Sequence, residues 1–311
     1  MALSGAVKRW FFAPTMQYWV VMCRIGFGLC LFTAWLFYAP VVQELFGPQG
    51  LGGAATIARL PQAELVLHDY RYVAYLRYIH ASAVIWLLYG ALLLAALSFA
   101  AGLFTRTSGV VLVLLHTLFV ARMPYAVWGW ATMIHAFTAY TILAHPGRYV
   151  SLDAWLRGRK TPQASLRHIG TAPVWPRRLM QVHVCTMYTV VGWARLSQPG
   201  WIEGGMTYEA LTNLMFARAD LDWQAWMPLL QASNYVVYCL EPLAPVLLWL
   251  PTIGPWCVIA LMSLHIGLEL TTTVGWWNYM LILALLTFLP DAWLQRCFRP
   301  IRQARHTPSH K

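Results

Sequence analysis

Charge is the scarcest property of this sequence. Asp, Glu, Lys and Arg make up 11% of its 311 residues, against about 25% in a typical soluble domain. A chain this poor in charge cannot present a water-compatible surface, which excludes an ordinary soluble globular fold. Acidic residues are scarcer still, 11 against 22 Lys and Arg. Cysteine is sparse and badly placed for cross-linking. Cys23, Cys30, Cys185, Cys239 and Cys257 lie in apolar runs, Cys297 follows the last one, and no C-x-x-C occurs. That excludes a disulfide framework and leaves six small hydrophobes. Also missing are H-E-x-x-H, G-x-S-x-G, a P-loop and any Cys/His zinc spacing, so the familiar catalytic signatures are absent. The histidines fall on different segments and form no recognisable metal set, so no metal is expected.

Hydrophobicity is what the sequence has in quantity: 59% of residues are apolar, with 17 Trp and 15 Tyr. Long apolar runs read as membrane spans, and amphipathic aromatic rings gather at membrane interfaces. The net charge of +11 therefore calls for no nucleic acid. It suits cytoplasmic loops facing an anionic leaflet, with membrane lipids as the partners. Eight apolar segments stand out, near 16–39, 79–101, 108–122, 126–145, 179–196, 228–250, 253–271 and 276–290. The first follows Lys8 and Arg9 and exceeds the roughly 7–15 residues of a signal h-region, so it reads as a retained helix. The expected fold class is all-α: a polytopic transmembrane helix bundle of about eight spans.

Charge asymmetry predicts the orientation. Basic residues concentrate in 1–15, at Arg106, in 146–178 and in the tail, while 40–78 is balanced and 197–227 is acidic. Alternation of this kind puts both termini in the cytoplasm. The expected layout is a cytoplasmic N-terminal segment (1–15), a transmembrane domain (16–293) and a basic cytoplasmic tail (294–311). Arg122, alone in a short turn, is the exception. No repeat, low-complexity segment or separate soluble domain is seen. A run from Met206 to Phe216 is amphipathic and suits the membrane surface or the lid of a cavity.

Ionisable residues at bilayer depth are functional candidates by default. Here they are Arg24, Arg195, Glu241 and Glu269, joined by His80, His116, His135, His183 and His265. Helical spacing groups several. His265 and Glu269 are four apart; Asn234, Tyr238 and Glu241 fall at i, i+4 and i+7; Gln181, Tyr188 and Arg195 repeat at sevens. With the orientation above, the three stripes lie in the outer half of the membrane and predict one outward-facing cavity. Arg195, Tyr238 and His265 would face it, with Glu241 at its floor and Glu269 near its mouth. Two plainer readings stay open: Arg195 snorkels to the headgroups, or it forms a structural pair with Glu269. His116 and His80 have no partner at helical spacing and read as packing or interfacial residues.

Certain motifs carry a family resemblance. Pro146-Gly147-Arg148-Tyr149-Val150-Ser151-Leu152-Asp153-Ala154 follows the fourth segment. Gly192-Trp193-Ala194-Arg195-Leu196 is followed by Trp201-Ile202-Glu203-Gly204, then Leu240-Glu241-Pro242, His265 and Phe288-Leu289-Pro290. In this order and spacing the chain resembles the HTTM proteins, whose transmembrane domain is shared with vitamin K-dependent gamma-glutamyl carboxylase. The resemblance covers about residues 16–293. It implies a lysine base where this chain has Arg195, and arginine keeps its proton at any physiological pH, so it cannot serve as a general base. The histidine that the carboxylase uses before its fourth helix aligns near Trp130, and no histidine is nearer than His135. The carboxylase's large lumenal domain has no counterpart in the roughly 20 residues after the last segment. Glutamate carboxylation is therefore not expected.

The resemblance implies a protein of the bacterial cytoplasmic (inner) membrane. SdpB-like bacterial members assist maturation of a small exported peptide. The expected cavity would suit such a peptide, a quinone-like molecule or a lipid. Arg195 would bind an anion such as a carboxylate or phosphate, flanked by Tyr238, Asn234, Glu269 and Trp201, with Glu241 and His265 as the acid–base candidates. The alternative is a non-catalytic scaffold in which the same residues dock a lipid or another membrane protein.

Overall fold

A computed structural model describes residues 5–51, 79, 81–123, 130–160, 169–213, 216–218, 221–273 and 275–303, without the side chains of 130–132, 159–160 and 298–303. His80, the stretch with His68, Asp69, Tyr70 and Arg71, and the end of the basic tail lie outside the described residues. Among these residues the architecture is helical. In chain order the helices are α1 (Gly5–Phe12), α2 (Tyr18–Leu36), α3 (Val42–Phe46), α4 (Ser82–Ala101), α5 (Thr105–Arg122), α6 (Trp130–Leu143), α7 (Leu152–Lys160), α8 (Trp175–Leu196), α9 (Pro199–Ile202), α10 (Met206–Thr212), α11 (Met227–Leu247), α12 (Gly254–Thr271), α13 (Trp277–Leu285) and α14 (Asp291–Gln303).

Each of the eight apolar segments contains a helix among its described residues. As membrane spans they differ. Among the described residues α2, α4 and α12 are long and apolar enough to cross a membrane, and up to four spans result if the bent α13–α14 pair counts as one. The expectation of eight spans thus exceeds what length and hydropathy support. Helices α8 and α11 have the length, 22 and 21 residues, but carry Arg177, Arg178 and Arg195, or Glu241 and two internal prolines. The chain resolves into two compact units, residues 20–172 and residues 173–311 together with 1–19.

In the 20–172 unit, Trp35, Phe46 and Phe119 form an aromatic cluster with ring centroids 5.2 to 5.6 Å apart. Tyr89 Oη donates to the Trp35 carbonyl at 2.5 Å. Arg122 corrects the charge reading: it is wholly buried, and its Nε donates to the carbonyl of Phe46. It therefore says nothing about which side of a membrane its turn occupies. His116 bears out the packing reading, buried and hydrogen-bonded. Its partner comes from the neighbouring helix, His135, whose Nε2 lies 2.8 Å from His116 Nδ1 and 2.9 Å from Thr117 Oγ1.

The same unit explains the Pro146–Ala154 motif. Asp153, on α7, caps α5 from outside, accepting from Phe104 N–H and Thr105 N–H at 2.8 Å each and from the Thr105 hydroxyl at 2.6 Å. Ser151 caps α7 through Ala154 N–H at 3.0 Å. Arg24 reaches from α2 to the end of α4, donating to the carbonyls of Ala100 at 2.6 Å and Phe99 at 3.3 Å, and to Val150 at 2.5 Å. Helix C-termini leave carbonyls unsatisfied and carry negative partial charge. A buried cation answers both.

In the other unit, α8 begins at Trp175, earlier than the apolar run suggests, because Pro176 sits in the first turn, where no N–H is needed. Arg177 is thereby inside the helix and buried, not in a loop. It donates to the carbonyls of Thr287 and Leu289 at 2.6 Å each and pairs with Asp291 at 2.7 Å. These bonds hold the break at Phe288-Leu289-Pro290, where α13 and α14 turn by 120°.

Candidate functional site

The site in the 173–311 unit begins with a glycine. A Cβ at Gly192 would lie 2.6 Å from Pro242 N and 2.9 Å from the Glu241 carbonyl carbon, so only glycine lets α8 and α11 meet backbone to backbone. Three residues on, Arg195 emerges on the same side of α8. Its Nη1 lies 2.5 Å from Glu241 Oε2, with side chains 21% and 4% exposed. The Gly-x-x-Arg spacing is thus a close approach followed by the charge that it delivers.

The Trp201 motif closes over this pair. Short helix α9 ends at Ile202, and two residues later the chain turns at Gly204, whose φ of +84° belongs to the left-handed region that glycine occupies freely. Asn234 Nδ2 donates to the Trp201 carbonyl at 2.9 Å, and Tyr235 Oη to that of Ile202 at 3.2 Å. The Trp201 ring lies 4.3 Å from the Arg195 guanidinium carbon, a cation–π contact. Tyr238 is half-buried, its hydroxyl 3.4 Å from the Leu196 carbonyl. Five of the seven expected site residues, Arg195, Glu241, Trp201, Asn234 and Tyr238, therefore gather around the end of α8.

His265 and Glu269 belong to a second cluster. Tyr188 Oη is 2.8 Å from His265 Nε2, and His265 Nδ1 is 3.0 Å from Asn278 Oδ1. Asn278 Nδ2 donates to Glu269 Oε2 at 3.2 Å, and Arg218 pairs with Glu269 Oε1 at 2.9 Å. The chain has a direction. An ionised carboxylate only accepts, so the Asn278 amide presents its NH₂ to Glu269 and its oxygen to His265. His265 Nδ1 must then carry the proton, leaving Nε2 to accept from the Tyr188 hydroxyl.

The alternative pairing of Arg195 with Glu269 is overturned. Glu241 takes Arg195, and Glu269 takes Arg218, which the 216–218 segment places there through an antiparallel bridge of Ala217 to Thr272. Sequence reasoning missed Asn278 and Arg218. It grouped Tyr188 with Arg195 by its spacing of seven but did not name it as a site residue.

Among the described residues no group of three or more His, Cys, Asp or Glu could hold a metal ion. The Arg195 pair can neutralise, orient or be displaced by a polar ligand group, and the Tyr188–His265 pair can present or receive a proton. The motifs that build this site are those of the family resemblance. Comparisons with curated proteins and with solved structures find no match. The HTTM domain matches residues 12–293, nearly the whole chain, and the chain belongs to that family.

Proposed function

We propose that this HTTM protein binds a quinone-like or lipid molecule at the Arg195–Glu241 pair, with Trp201 as a movable cover and Tyr188–His265 as its hydrogen-bonding partner. The observation that carries this reading is the partly buried, indole-covered ion pair. Arginine presents five N–H donors in a fork, and among the described residues Glu241 is the only acceptor Arg195 meets. A ligand carbonyl or carboxylate has donors left to take. The setting is a bacterial inner membrane protein of about eight spans with both termini in the cytoplasm. Reporter fusions after Arg305 and within 155–175 should then report cytoplasm, and one within 205–220 the outside.

The binding test is chemical. The full chain, purified in native nanodiscs, is extracted and its small molecules identified by mass spectrometry. One hydrophobic species should be enriched over bulk membrane and lost in Arg195→Met/Glu241→Leu, which removes both charges together. A bulk-membrane profile identical in wild type and variant would overturn the proposal. The contact of Trp201 with Arg195 favours a second reading, a non-catalytic scaffold in which the indole fills the place permanently. A co-purifying membrane protein with no small molecule would select it, and a co-purifying small peptide would move the site toward peptide maturation.

A further inference from the structure

Away from that site, an open basin of about 980 Å³ lies within the 20–172 unit, lined by Arg106, Arg148 and Arg157 with His145. Basic residues beside membrane helices are common, because loops facing an anionic leaflet collect them. Several features set this group apart. The guanidinium groups converge on a concavity. The one carboxylate in its wall, Asp153, is committed to the first amides and the hydroxyl of α5. Burial alone would raise the Asp153 carboxyl, but those hydrogen bonds and the Arg157 charge outweigh it and hold it below its ordinary value.

Arg157 donates to the Gly147 carbonyl at 2.5 Å. Arg106 and Arg148 meet no carboxylate among the described residues. Among the described residues the basin thus has two exposed cations without a counter-ion. The backbone is strained at the same place. Phe104 and His145, both in the wall, have φ of +44° and +59°, a region that strains a side-chain-bearing residue. Such outliers persist where the surrounding bonds over-determine them, and here Asp153 fixes Phe104. His145 reads out the field: burial, then the Arg106 charge, and also the Arg148 charge, hold it below its ordinary value against a backbone hydrogen bond at Leu143.

We propose that this basin binds a phosphate group, with Arg106 and Arg148 as its principal ligands and Arg157 at its rim. A guanidinium fork matches phosphate oxygens, and a dianion matches two uncompensated cations. The volume exceeds one phosphate, so the group belongs either to an anionic lipid headgroup or to a soluble phosphate.

The two sources are separated by two probes on the full-length protein in detergent. Native mass spectrometry compares retention of phosphatidylglycerol and phosphatidylcholine. Histidine NMR follows the His145 titration with added inorganic phosphate, which should move its midpoint upward, since a bound anion stabilises imidazolium. Arg106→Gln/Arg148→Gln should weaken binding about tenfold or more, while Arg296→Gln, at an exposed arginine elsewhere, should leave it unchanged. Retention of phosphatidylglycerol alone assigns a lipid headgroup, and a response to inorganic phosphate assigns the phosphate group itself; either supports the proposal. Wild-type protein that binds neither probe, or equal binding by wild type and the double variant, overturns it. Should the double variant not fold, the wild-type protein decides: an upward His145 shift with phosphate or preferential retention of phosphatidylglycerol supports the site, and the absence of both overturns it.

Discussion

Arg24 in one unit and Arg195 in the other are held in opposite ways. Arg24 meets backbone carbonyls, those of Phe99, Ala100 and Val150. Arg195 meets one carboxylate and one indole face. Carbonyls at a helix end are fixed by the fold, so no incoming molecule competes for Arg24 without unmaking α4. A carboxylate and an aromatic ring are side chains, and side chains move. The first arrangement builds architecture; the second can serve as a site.

The comparison breaks most visibly at Glu241. Glu241→Leu leaves Arg195 without its counter-ion and should destabilise the protein by about 3–5 kcal/mol, read by denaturant unfolding in mixed micelles. Adding Arg195→Met should recover most of that loss, because no lone charge remains. Equal losses in the single and double variants would show that the two charges are not coupled. Arg24→Met should cost somewhat less, about 3 kcal/mol, the scale of charge-assisted hydrogen bonds. Here no second substitution compensates, since the orphaned groups are main chain.

Asp153→Ala removes a cap that serves α5 from outside and should cost about 1–2 kcal/mol. The sign of its pH dependence follows from its lowered folded-state value. A carboxyl that ionises more readily folded than unfolded stabilises fully above its unfolded value, about pH 4. That stability is lost as pH falls through the lower folded value. Wild type should therefore lose its advantage over Asp153→Ala below about pH 4. An advantage constant across that window would place the cap's strength in packing.

Much of this was legible in the sequence. Apolar runs located the helices, and the rarity of charge singled out Arg24, Arg195, Glu241 and Glu269. What spacing along a helix cannot give is the rotation of one helix against another. That rotation decides that Arg195 meets Glu241 rather than Glu269, and that His116 meets His135. Nor does spacing foresee partners supplied by short irregular segments, such as Arg218 from 216–218 or Asn278 at the start of α13. Arg24 stands out in the sequence as a charge at bilayer depth, but the carbonyls that hold it leave no mark there. The span count rests on less: α8 and α11 read as spans by their apolar stretches, but each carries charge, so length and hydropathy alone do not confirm them.

The smallest energetic effect belongs to Glu269, and it is the most informative about the hydrogen-bonded chain. Its pair with Arg218 is partly open to solvent, 46% on the arginine side, so Glu269→Gln should cost no more than about 1 kcal/mol. Its consequence lies in the polarity of the chain. Only an acceptor at 269 forces the Asn278 amide to turn its NH₂ that way. A glutamine can donate instead, which frees Asn278 to flip and offer its NH₂ to His265 Nδ1. The imidazole proton would then move to Nε2 and point at Tyr188, reversing which of the two donates. Nitrogen-15 histidine spectra distinguish the tautomers directly. Wild type should show the Nδ1–H form at His265, and Glu269→Gln should shift the population toward Nε2–H with stability nearly unchanged. An unaltered Nδ1–H signal in the variant would mean that Asn278 is oriented by something other than Glu269, and the chain would then end at His265.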